Sequence, residues 1–271
     1  MLDRVFRRLA FICFVCLMQN ACSTTDDQTY RERKVAPLYN SAVNALEASN
    51  YKEAATGFNE VERQHPYSVW AVKAQLMAAY SNYLANNYDS AIISINRFIR
   101  LHPGSEEIAY AYYLKALSFY ERISDVSRDQ LITEQALEAL KQVVRRFPNS
   151  KYARDAKLKI DLTHDHLAGK EMEIGRFYLK QNHYVAAINR FKVVVDKYQT
   201  TTHVPEALHR LVEAYSALGI ADEARKIAAV LGHNYSGTDW YKDTYNLVAE
   251  PQLNNQRPKR GFITRAWNWL F

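Results

Sequence analysis

Apolar positions along this chain follow two regimes. From Leu9 to Met18 they form an unbroken run of ten, preceded by Arg4, Arg7 and Arg8 and followed by Gln19-Asn20-Ala21-Cys22. A positive start, a short apolar stretch and a small residue at its end are the layout of a secretory signal, too short to span a bilayer stably. Further along, apolar residues recur at helical spacing instead. Leu38, Ala42, Ala45 and Leu46 fall on one stripe, and Ala54, Phe58 and Val61 on a second. This predicts two amphipathic helices in succession.

The second regime repeats. Tyr51-Lys-Glu-Ala54-Ala-Thr-Gly-Phe58 is matched by Tyr88 with Ala91 and Ile95, and by Tyr184 with Ala187 and Phe191. Weaker copies centre on Ala136 with Leu140 and on Ala224 with Ala228. Twelve residues after the alanine come Pro66, Pro103 and Pro148, and copies one and two, like copies four and five, are 37 residues apart. Each unit reads as a helix pair. The small alanine lets two helices approach, and the proline stops the second because it lacks an amide proton and restrains the residue before it. Ser68, Ser105 and Ser150 each follow a proline by two residues and are placed to cap the next helix. Gln199 stands where copy four would carry its proline, and copy three has an insertion from Ser124 to Thr133. Residues 151–181 read as one long helix, or as two with a break near Ala168-Gly169.

Composition agrees with helix, since eight glycines in 271 residues are few for a sheet-and-turn protein. Cys13 and Cys16 lie inside the apolar run, so cleavage before Cys22 leaves one cysteine and no internal disulfide. A packed core must hold the fold. The net charge of +6 is confined to the ends. Residues 1–21 hold three arginines against one aspartate, and the tail from Pro251 holds Arg257, Lys259, Arg260 and Arg265 with no acid, which leaves residues 22–250 neutral. A neutral body exerts no general pull on nucleic acid.

These units resemble the tetratricopeptide repeat, a helix-turn-helix of about 34 residues. Cys22 with its preceding segment resembles the lipobox of bacterial lipoproteins, although Gln19 stands where leucine is usual. The phrases His65-Pro-Tyr-Ser68, His102-Pro-Gly-Ser105 and Phe147-Pro-Asn-Ser150 narrow the match. Together they resemble the BamD (ComL) family of outer-membrane assembly lipoproteins over roughly residues 22–245. The resemblance implies an all-α fold, a curved solenoid of about five tetratricopeptide-like helix pairs. It divides the chain into a signal peptide at 1–21 and an acylated N-terminus with a flexible leash at 22–33. Repeats 1–3 follow at 34–149 as a peptide-binding half, repeats 4–5 at 150–245 as a partner-binding half, and a basic aromatic tail at 246–271.

The resemblance also implies a groove lined by positions 2, 5, 9 and 12 of each first helix. Carried onto this chain, these are Ala36, Tyr39, Val43 and Leu46 in repeat one, Lys73, Leu76, Tyr80 and Tyr83 in repeat two, and Tyr110, Tyr113, Leu117 and Tyr120 in repeat three. Repeat five offers the more polar Glu206, His209, Glu213 and Ser216. Any one of these tyrosines reads equally well as inter-helix core. As a cluster they suit a peptide with apolar anchors, because rigid rings with a polar tip recur at such surfaces. The family is understood to work with the barrel insertase BamA and other assembly lipoproteins, and to receive nascent outer-membrane β-barrel proteins. Cys22 would carry the acyl chains, and Ser23 after it, rather than aspartate, fits the outer membrane, periplasmic face. Arg257 to Phe271, rich in cations and ending Trp267-Asn-Trp269-Leu-Phe271, suits an anionic membrane surface or a partner groove, or is an unstructured end.

Catalytic and metal motifs are not expected. No phosphate loop, HExxH or CxxC occurs in the mature chain. His164 and His166 are two apart and face different sides of a helix, and Asp161, Asp165, Glu171, Glu134 and Glu138 read as surface charge. No cofactor or nucleic-acid partner is expected. The function implied is a non-enzymatic scaffold of the β-barrel assembly machinery. The alternative is a repeat lipoprotein coordinating peptidoglycan synthesis or turnover, with a helical-ring lytic transglycosylase third.

Overall fold

The computed structural model describes the backbone of residues 33–256 and the side chains of residues 33–248. The signal segment, Cys22 and the tail beyond Gln256 lie outside the described residues. Helices run in antiparallel pairs: α1 (Val35–Glu47) with α2 (Tyr51–Gln64), α3 (Val69–Leu84) with α4 (Tyr88–Leu101), and α5 (Ile108–Tyr120) with α6 (Leu131–Arg146). Then come α7 (Lys151–Lys180) with α8 (Tyr184–Lys197), α9 (Val204–Ala217) with α10 (Ala221–Tyr235), and α11 (Asp239–Gln256). Among the described residues none of these helices is long and apolar enough to cross a membrane.

The turn inside each pair has a common cause. Ser49, Asn86, Asn182 and Gly219 take positive φ of 61°, 57°, 60° and 75° just after the first helix. In each, two amides reach back into the helix, as Asn50 N to Ala45 O at 2.8 Å and Ser49 N to Leu46 O at 3.0 Å. That is a Schellman closure, which satisfies the last carbonyls and reverses the chain. The third pair lacks it. α5 ends with Glu121 in right-handed geometry, and residues 121–130 loop out before α6. Between pairs, Ser68 and Ser150 accept from the amides of Ala71 and Ala153, both at 3.1 Å, as predicted. Ser105 differs: α5 begins three residues later, and its hydroxyl accepts from the Glu107 amide at 3.2 Å.

Burial follows the repeat. The motif alanines Ala54, Ala91, Ala136 and Ala187 are fully buried, as are the bulkier Phe58, Ile95, Leu140 and Phe191 four residues on. They form successive clusters, each shared by one pair and the next first helix. A unit therefore cannot bury its apolar face without its neighbour. First helices also touch one another, α1 to α3, α3 to α5 and α5 to α7, with no comparable contact among α2, α4 and α6. The stack must curve toward the first helices, which line its inner side.

Residues 151–180 form one continuous helix, so the choice left open by the sequence resolves in favour of a single long α7. Its first half packs on α5 and α6, and its second half pairs with α8. There Gly175 meets the Phe191 ring so closely that a Cβ would overlap it. α11 packs on α9 and α10 and runs across residue 245, where the sequence reading begins the tail.

Candidate functional site

On the inner side the tyrosines of three successive first helices meet ring to ring. Tyr80 of α3 lies 6.4 Å from Tyr110 of α5, which lies 5.5 Å from Tyr152 of α7. Tyr152 stacks at 5.1 Å and 26° on Tyr113 of α5. The Tyr113 hydroxyl donates to Asp155 Oδ2 at 2.5 Å, and the Lys159 ammonium sits 4.8 Å from the Tyr120 ring centre. Tyr83, next along α3, contacts the Tyr88 ring at 5.8 Å and reaches Glu121 Oε1 at 3.5 Å. The helix register explains this alignment, since residues three and four apart share a face.

Burial governs the chemistry of the row. It raises the Tyr83 pKa to about 12, helped by the Glu121 carboxylate. Burial, then neighbouring tyrosines, pushes Tyr110 well above the ordinary phenol range. For Tyr113 burial acts first and the bond to Asp155 second. Tyr83, Tyr110 and Tyr113 therefore stay neutral hydrogen-bond donors across the biological pH range. A half-buried neutral ring offers an apolar face and a polar edge without the desolvation cost of a charge.

The implied groove positions separate into three groups. Tyr80, Tyr83, Tyr110, Tyr113 and Tyr120 are half-buried along the inner side, and Lys73 is exposed. Leu76 is only 7% exposed and belongs to the core between α3, α4 and α5. Tyr39 packs edge-on to Phe58 at 5.3 Å and on Trp70 at 4.9 Å, within the first core cluster. Sequence reasoning omitted Tyr152, and also Leu158 and Leu162, which are 62% and 59% exposed. With Asp155 these leucines fall at i, i+3 and i+7 on α7, beside the tyrosine row. The register signal was present: counted from the cap serine, Leu158 and Leu162 occupy the positions that Leu76 and Tyr80 occupy after Ser68.

The second half differs. Arg176 Nη1 donates to both oxygens of Glu206 at 3.0 and 2.9 Å, joining α7 to α9. Arg210 donates to Glu213 at 2.8 Å and lies 5.4 Å from the Trp240 ring centre. His209 is buried by α11: its Nδ1 is 2.8 Å from Thr244 Oγ1, and that hydroxyl donates to the Trp240 carbonyl, so Nδ1 is the donor. Burial, then Arg210, lowers the His209 pKa. The inner side of α9 is therefore covered by α11 where the repeat pattern alone would leave it open. His164 packs on Tyr198 at 5.8 Å, whereas His166 lines a cavity beneath the α5–α6 loop. Among the described residues no group of three or more His, Cys, Asp or Glu is placed to hold a metal.

Among the described residues, five helix pairs curved around a row of tyrosine rings define a repeat scaffold of the tetratricopeptide type. The chain belongs to the YfiO family of outer membrane lipoproteins, whose model matches residues 31–230. The outer membrane protein assembly factor BamD of Caulobacter vibrioides is 52% identical over 229 residues, covering 84% of this chain and 74% of that protein. The protein of the same name in Rickettsia prowazekii is 47% identical over 249 residues, covering 92% and 99%. That of Neisseria meningitidis serogroup A is 34% identical over 266 residues, covering 93% and 91%. Among solved structures, the TPR domain of P58(IPK) is similar over 80% of this chain and 56% of that one, with 14% identity and a TM-score of 0.41.

Proposed function

We propose that this chain is an outer-membrane protein assembly factor without chemistry of its own. Acyl chains on Cys22 hold it to the periplasmic face of the outer membrane. The inner side of repeats 1–3, continued onto the first half of α7, takes an apolar, aromatic segment of an unfolded outer-membrane β-barrel protein. The observation that carries this reading is the continuous row Tyr80–Tyr110–Tyr152–Tyr113, with Leu158 and Leu162 open beside it. Rings bury large area at small entropic cost, and exposed leucines gain by being covered. The names of the relatives favour assembly over the peptidoglycan alternative. The more polar second half, where the Arg176 and Glu213 side chains stay about 40% exposed, is assigned to a folded partner such as a BamA-like insertase. Residues 257–271 supply a further contact, to membrane or partner.

A peptide from the last strand of an outer-membrane barrel, titrated into the full-length protein in detergent, tests the reading. Leu158→Asp with Leu162→Asp lowers affinity about tenfold or more while helicity and melting temperature hold, because both side chains are exposed. Unchanged affinity contradicts it.

A further inference from the structure

Two hydrogen bonds fix where the chain enters the stack. The Arg33 amide donates to Gln64 Oε1 at 2.8 Å, and His65 Nε2 donates to the Arg33 carbonyl at 2.6 Å. They tie the residue before α1 to the end of α2. Because the pairs are antiparallel and stacked in register, every loop from a second helix to the next first helix lies on that edge. In repeats 1–3 these loops are 65–68, 102–107 and 147–150.

This edge carries an unusual surface. Tyr67 in the first loop is 101% exposed, Val69 at the start of α3 80% and Leu101 at the end of α4 51%, so this edge presents large apolar side chains to solvent. The third presents charge: Arg145, Arg146, Lys151 and Arg154 follow one another with no acid between them, in a body that is neutral overall. Arg145 has only a 3.9 Å contact with Glu138, and Arg154 has no acidic partner among the described residues. Of the nearby acids, Glu60 and Glu62 are paired with Arg63 and Arg97, and Asp155, which follows Arg154, accepts from Tyr113 and lies 3.7 Å from Lys159; Glu106 and Glu107 remain in the second loop.

We infer that this loop edge is a membrane-docking surface, with Tyr67, Val69 and Leu101 entering the interfacial layer and the Arg145–Arg154 cluster resting on anionic lipid headgroups. An apolar group beside a cationic one is the chemistry that holds a protein flat on an anionic bilayer. The leash enters at the same edge, where Arg33 is fixed, and the eleven residues before it, 22–32, span at most about 40 Å. The tether alone leaves orientation free within that reach, and the edge selects it. The inference rests on the proposed acylation of Cys22 only for the far end of that leash.

The test uses full-length protein in phosphatidylcholine vesicles with or without phosphatidylglycerol, carrying an environment-sensitive fluorophore at Tyr67→Cys, Leu101→Cys or Lys52→Cys. Lys52 is exposed at the start of α2, on the opposite edge. Quenching by spin-labelled lipid is about threefold stronger at 67 and 101 than at 52 when phosphatidylglycerol is present. Arg145→Glu with Lys151→Glu and Arg154→Glu removes the phosphatidylglycerol dependence. Equal quenching at all three sites overturns the inference, as does protection of 67 by a co-purifying protein with no lipid contact. The mass of the N-terminal peptide reports acylation separately, so a missing anchor and a wrong edge are told apart.

Discussion

A tyrosine and a leucine on the same inner surface answer to different forces here. Tyr83, Tyr110 and Tyr113 are held by neighbouring rings, whereas Leu158 and Leu162 are 62% and 59% exposed. That is why the leucines separate binding from stability, whereas truncating a ring disturbs both. The raised tyrosine pKa values have their own consequence. With the Tyr83 pKa moved from 10.0 to about 12, its contribution to stability is whole below pH 10. Between pH 10 and about 12 the unfolded chain releases the proton and the folded chain keeps it, so stability falls as pH rises. Melting temperature therefore declines through that window, and the decline is shallower in Tyr83→Phe; an identical slope in both proteins argues against burial as the cause. Most of the ring row was legible from the repeat register. Leu76 was not, because the same register position lets a leucine turn into the seam where a tyrosine hydroxyl must stay wet. Tyr152, Leu158 and Leu162 were missed because the register was not carried past Ser150 into α7.

At the scale of elements, two features set the shape. One is the Schellman turn that closes pairs one, two, four and five, made by a serine, two asparagines and a glycine with no shared sequence word. It was invisible as a motif, since several residue types tolerate the left-handed conformation. The third pair, joined by residues 121–130, is the exception; the insertion was legible, but its bounds were not, since the expected Ser124 to Thr133 ends inside α6, where Thr133 is buried. The other feature is the unbroken α7, which serves the inner side of repeat three and pairs with α8. Ala168-Gly169 reads locally as a break, but both residues are buried against neighbouring elements, so packing overrides propensity. α7 approaches α8 tightly at Gly175. Gly175→Ala raises local helix propensity yet costs about 1–3 kcal/mol in urea unfolding, because its methyl must displace the Phe191 ring. A stabilised variant would show that this contact yields freely.

The whole molecule is a chain of nearest-neighbour contacts curved around its first helices, closed at one end by α11. Such a stack distributes stability locally. Trp240 of α11 sits on His209 at 5.4 Å and under Arg210, so Trp240→Ala speeds amide hydrogen exchange in α9 to α11 and leaves α1 to α5 at wild-type rates. Uniform acceleration along the chain would mean the stack opens as one unit. The chain thus carries two surfaces: a ring-lined inner side that runs from repeats 2 and 3 onto the first half of α7, and from Arg176 onward a polar side partly covered by the chain's own last helix. The central claim is that the first of these surfaces holds unfolded outer-membrane β-barrel proteins. A photo-crosslinking residue at Leu158, compared with one at Ile93, which is 70% exposed on a second helix and so off the inner side, tests it directly in cells. The account predicts crosslinks from position 158 to newly exported barrel proteins and none above background from 93. Equal crosslinking from both positions, or barrel proteins captured from 93 alone, would contradict it.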